Sequence, residues 1–198
     1  MCLVRVHTIF LCSLIMLGCQ DNSSNRQVPI VDGVAPSIVI ENDREVLNED
    51  VQELRNEILS FKKGDSVETL SIKVNKLYSL TSYDELKTMS NETWSGKTDT
   101  PRNPQVAAVI AFVLNDVRVE DWSLLRIGIA FHVGVGFEQD VEMAENYLSN
   151  SLLVNNATAN YFLSKIKFEK GAKNEAQVLL ERAAQLGHRK ARAELGIK

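Results

Sequence analysis

Cysteine is scarce in this chain, and its placement excludes a cross-linked fold. The three cysteines are Cys2, Cys12 and Cys19, so nothing beyond residue 19 can close an intramolecular disulfide, and stability must come from burying apolar surface. Positive charge is also in short supply. With 22 lysines and arginines against 26 aspartates and glutamates the net charge is −4, without the basic excess that a nucleic-acid partner requires. Catalytic signatures are missing too: neither a Gly-x-Ser-x-Gly elbow nor a His-Glu-x-x-His pair occurs. The stretch Trp94-Ser95-Gly96-Lys97-Thr98 ends like a phosphate loop. It has Asn91 where such a loop needs glycine, and no apolar strand leads into it, so it reads as a surface loop. His132 has Glu138 and Asp140 within eight residues, but a helix-to-turn junction points these groups in different directions, which argues against a metal site. The acidic series Glu49, Asp50, Glu53 and Glu57 has helical spacing and reads as a solvated face. His188, beside Arg189 and Lys190, reads as a solvated turn residue. These absences predict a protein that is not an enzyme and uses no cofactor.

What the chain does contain begins with an address. Met1–His7 carries Arg5 as its one fixed positive charge and leads into the apolar run Ile9–Leu17, which is shorter than the roughly 20 residues of a membrane span and suits a signal peptide. Met16-Leu17-Gly18-Cys19, followed by the polar Gln20-Asp21-Asn22-Ser23-Ser24, resembles the bacterial lipobox, with Met16 where leucine is usual. The resemblance implies that residues 1–18 are removed as a lipoprotein signal peptide and that Cys19 is acylated, anchoring the chain to a membrane. It also implies, through the enterobacterial sorting rule, that Gln20 in place of aspartate sends the protein to the outer membrane, facing the periplasm. Removal of Arg5 takes the charge from −4 to −5. Residues 19–42 read as a tether, polar at first and then apolar in Val28–Ile40, where Pro29, Gly33 and Pro36 oppose a helix. That apolar part is expected either to lie extended against the domain or to be disordered.

Residues 43–117 read as an N-terminal helical region. Leu47, Val51, Leu54, Ile58 and Phe61 form one apolar stripe, ended by Lys62-Lys63-Gly64. Asp65 with Glu68 forms a cap-like pair ahead of Val67, Leu70, Val74 and Leu77, and Ser82 with Glu85 looks like a capping box. Residues 91–103 are polar and broken, and Pro104 stands at a plausible first helical position before Val106, Val109, Ile110, Val113 and Leu114. No strand pattern competes.

From residue 118 to 198 the sequence echoes itself. Ile127-Gly128 recurs as Leu163-Ser164 and as Leu195-Gly196, a period near 35 residues that signals stacked helix pairs. The first unit carries Ile127-Gly128, Phe131, Gly134, Gly136, Phe137, Asp140, Ala144 and Tyr147, and it resembles the Sel1-like repeat, a longer-looped relative of the tetratricopeptide repeat. The second unit keeps Ala159, Leu163, Ala176, Leu180, Ala183, Ala184 and Gly187, with Ser164 at the usual glycine, Lys167 at the aromatic place and a shorter loop at Gly171. The resemblance implies an all-α, short right-handed solenoid preceded by an irregular helical region. Gly134 and Gly136 then belong to a turn between packed helices, Asp140 to a helix cap, and Gly128 and Ala144 to a close helix crossing.

Protein recognition is the function this resemblance implies, by a membrane-anchored binding or scaffolding lipoprotein. An immunity protein that neutralises a toxin delivered to the periplasm is the second reading, and an envelope-modifying enzyme is the third. Register with the repeat puts Trp122, Leu125, Ile129 and His132 on the groove face of the first unit, with Leu124, Ile127 and Phe131 packing inward. In the second unit it puts Thr158, Tyr161, Lys165 and Phe168 on the groove face. An aromatic and apolar groove with a few polar handles suits a protein partner. The alternative is that the N-terminal helices or Val28–Ile40 fill it from within the chain.

Overall fold

Polar caps mark where most of the helices begin. In a computed structural model, residues 37–62, 64–96 and 100–197 are described, with side chains from Asn48 onward, and all belong to one unit. The helices are α1 (Ser37–Leu59), α2 (Val67–Leu80), α3 (Tyr83–Ser95), α4 (Pro104–Val117), α5 (Asp121–Val133), α6 (Val141–Leu148), α7 (Ala157–Glu169), α8 (Lys173–Gln185) and α9 (Arg189–Glu194), with a 3₁₀ turn at Ser151–Leu153. The protein is all-α: no strand occurs among the described residues, and none of their helices is long and apolar enough to cross a membrane.

Local chemistry accounts for the boundaries. Ser82 and Glu85 close the expected capping box, with Ser82 Oγ accepting from the Glu85 N–H at 3.2 Å and Glu85 Oε2 accepting from the Ser82 N–H at 3.1 Å. Pro104 opens α4, where its missing N–H costs nothing, and Asn103 caps it. At α2 the cap is Ser66, which accepts from Thr69. Asp65 instead turns back to accept from the Lys62 N–H at 2.6 Å, because its short carboxylate finds a nearer donor there. Two expectations fail. The polar run after Asn91 does not break the helix, which continues to Ser95, since Ser90, Thr93 and Ser95 satisfy their hydroxyls on nearby carbonyls. Helix α1 starts at Ser37, so Ser37–Ile40 are helical, not extended, while Val28–Pro36 and the lipobox lie outside the described residues.

Packing proceeds from neighbour to neighbour along the chain. α1 lies on α2, α3 and α2 on α4, α5 on α4 and α6, α7 on α6 and α8, and α9 on α8. Leu54, Ile58, Leu70, Val74, Leu77, Leu86, Ile110 and Leu114 form the core of the first four helices. α4 is its centre: every residue from Gln105 to Ala111 is buried, as expected of a helix contacted on several sides. Leu124, Ala144, Leu148, Leu153, Ala159 and Ile166 form a second core shared by α5, α6 and α7. The third, around Tyr161, is largely alanine: Ala183, Ala184 and Ala191. Small side chains bury little area, so this end of the molecule gains the least from packing.

The Gly134–Gly136 segment is the turn between α5 and α6. Gly134 ends α5 in the left-handed region at φ 67° and ψ 47°, a conformation without cost only for glycine. Asp140 caps α6 through the Met143 N–H at 2.9 Å. The loop follows a helix and leads into a helix, so it lacks the strand a dinucleotide loop requires.

Candidate functional site

Side chains link α3 to α5, α5 to α7 and α7 to α9 in a row. Between α3 and α5 the link is Arg126. Its Nη1 donates to Ser90 Oγ at 2.6 Å and its Nη2 to Asn91 Oδ1 at 3.0 Å. The guanidinium lies over the Trp94 ring, 5.1 Å from its centroid, and over the Trp122 ring at 5.2 Å. Burial pulls Arg126 down to about 10, and it stays charged at neutral pH. Beside it, Lys87 donates to Glu120 Oε2 at 2.6 Å, Arg118 donates to Glu120 Oε1 at 2.8 Å, and the Trp122 indole N–H also reaches Glu120. The Lys87 hydrogen bond is the main cause holding the Glu120 carboxyl below its usual range.

Between α5 and α7, His132 meets Phe162 edge-on with ring centroids 5.6 Å apart. Its Nε2 is 4.0 Å from Glu169, and its Nδ1 is buried with no hydrogen-bond partner among the described residues. It does not meet Glu138 or Asp140. Between α7 and α9, the Tyr161 hydroxyl donates to Glu194 Oε1 at 2.8 Å, Lys165 donates to Oε2 of the same carboxylate, and the His188 ring stacks on Tyr161 at 4.2 Å. Burial, then the bond to Glu194, pushes Tyr161 up to about 12. His188 is half-buried and caps α9 by accepting from the Ala191 N–H, which corrects its reading as a solvated turn residue.

The residues expected on a groove face therefore separate. Trp122, Leu125, His132, Thr158 and Lys165 are half-buried along the row. Ile129 and Tyr161 are each only 9% exposed, so neither offers an open surface: Ile129 belongs to the second core and Tyr161 to the third. Phe168 is 62% exposed and lines a 390 Å³ cleft with Lys165, Leu180 and Glu194, where the short α9 stops. The inward stripe holds: Leu124 and Ile127 are buried, and Phe131 packs against the second core, stacked between Phe137 and Tyr147. Sequence reasoning missed Trp94, Arg126 and Phe162. Trp94 was hidden because residues 91–103 read as a loop. A tryptophan one helical turn from Ser90 and Asn91 was the available signal.

A second cleft, 520 Å³, lies between α6 and α8 over Leu163, Val178 and Leu179. Its rim is an ion network in which Lys167 reaches Glu145 at 2.8 Å and Glu175 at 3.0 Å, and Lys170 also pairs with Glu145. These bonds hold Glu145 below its usual range and push Lys167 up to about 12. Among the described residues no cluster of histidine and carboxylate groups could hold a metal ion. Comparison with known proteins found no matching protein family and no matching curated protein.

Proposed function

We propose that this chain is a lipoprotein, anchored through acylated Cys19 to the outer membrane and facing the periplasm, that binds another protein along a groove of Sel1-like helix pairs. In this reading α3–α4, α5–α6 and α7–α8 are three stacked pairs of a short right-handed solenoid and α9 is the start of a fourth. The observation that carries it is the row of first helices joined by Arg126, His132–Phe162 and Tyr161–His188. Stacked pairs leave such a row on one side, and this one is aromatic with few free charges, the composition of a recognition surface. The row is longer than the sequence echo, because α3 and α4 join it.

The test is site-specific photo-cross-linking in living cells. A photoreactive amino acid at Phe168, 62% exposed beside the row, should give a discrete adduct. The same amino acid at Leu152, 56% exposed on the 3₁₀ turn, should give none. Mass spectrometry of the adduct then separates an envelope component from a delivered toxin. No adduct at 168, or identical adducts at both positions, would exclude the groove.

A further inference from the structure

We propose that Trp94, Arg126 and Trp122 form a binding site for a carboxylate carried by the bound protein, an inference that rests on the reading of this row as a recognition surface. Along this row Arg126 has no carboxylate partner among the described residues. Along the same row Lys87 and Arg118 share Glu120, and Lys165 holds Glu194. Arg126 has only the neutral acceptors Ser90 and Asn91, and no carboxylate pairs with it among the described residues. A guanidinium carries five N–H donors in a fixed plane, so donors remain for a further acceptor.

The surroundings select what that acceptor is. Both indoles lie against the guanidinium, which leaves its in-plane edge as the approach and favours a flat, two-pronged partner. A carboxylate has that shape. Charge agrees: Lys87, Arg118 and Arg126 stand against Glu120 and Asp84, so one positive charge is left over, which suits a monoanion. The site is also prepared in advance. Folding has already removed much of the water from Arg126, and Ser90 and Asn91 fix its orientation, so an arriving anion does not bear that cost. Trp94, Trp122 and Arg126 are all half-buried, so each keeps part of its surface exposed while the indoles pack against the two cores.

The chain holds two tryptophans, and both are in this site, so selectively excited tryptophan fluorescence reports on it. The probes are a short acetylated leucine-containing peptide with one central glutamate, its glutamine twin, and inorganic phosphate, titrated into the full chain. The glutamate peptide should give a saturable change with an affinity about tenfold above that of its twin, the scale of one charge-assisted pair. Arg126→Met should abolish that discrimination. Arg126→Lys, which keeps charge and stem and serves if the methionine variant folds poorly, should reduce it, because the fork is lost. Equal binding of both peptides, tighter binding of phosphate, or undiminished discrimination in both variants would overturn the site. If discrimination is absent while the adduct at Phe168 persists, the carboxylate site alone is wrong; loss of both removes the groove with it.

Discussion

Gly128 has no side chain because Leu148 occupies the place where one would go. A Cβ at position 128 would lie 2.6 Å from Leu148 Cγ and 2.9 Å from Cδ2, and Leu148 is only 1% exposed, so it has nowhere to move. Gly128→Leu should therefore overpack the α5–α6 crossing and cost about 1–3 kcal/mol, read as a lowered melting temperature; unchanged melting would refute the crossing. Ser164, the counterpart in α7, keeps the site small and turns its hydroxyl to the Tyr161 carbonyl at 2.7 Å. Arg126 illustrates the opposite logic. Its charge stays where burial disfavours it, and at the level of single residues that is a cost which only a partner group offsets.

At the scale of elements, α9 is short, six residues long and packed over an alanine-rich core. Its cap depends on a neutral His188, whose Nδ1 accepts the Ala191 N–H. Protonation turns that acceptor into a donor. Burial and Lys190 hold the histidine below its ordinary value of 6.5, against a smaller opposing pull from Glu194. The folded chain therefore binds fewer protons than the unfolded one just below pH 6.5, so stability from this group is complete above that pH and is lost as pH falls toward the lowered value. Glu194, held low by Lys165, stays ionised across that window. Amide exchange at Ala191–Leu195, corrected for intrinsic rates, should accelerate as pH drops through 6.5. His188→Asn, which still caps, should remove the dependence. α3 makes a parallel case: Ser82→Ala opens the capping box and should cost about 1 kcal/mol by thermal melting, loosening the helix that carries Trp94.

For the whole molecule, the described helices pack each on its near neighbours in sequence; if they form the proposed solenoid, stability is a sum of adjacent interfaces. The proposed anchor, Cys19, falls outside the described residues. Cys19→Ser should leave an unprocessed precursor that takes up no radioactive fatty acid, while circular dichroism of the purified domain stays the same; normal labelling would end the lipoprotein reading.

Much of this architecture was legible in the chain. The capping box at Ser82, the proline that opens α4, the glycine turn at 134–136 and the Asp140 cap were readable because each depends on residues within a few positions of one another. The inward burial of Leu124 and Ile127 followed from helical spacing for the same reason. The site was not legible in this way. Arg126 meets Ser90 and Asn91 across 36 and 35 residues, and Tyr161 meets Glu194 across 33. Which face of α5 turns toward α3, and whether Ile129 and Tyr161 end in the core or in the open, depends on how far each helix rotates against its neighbours. That rotation is fixed by side chains such as Leu148 against Gly128, summed over whole interfaces, and no local pattern encodes it.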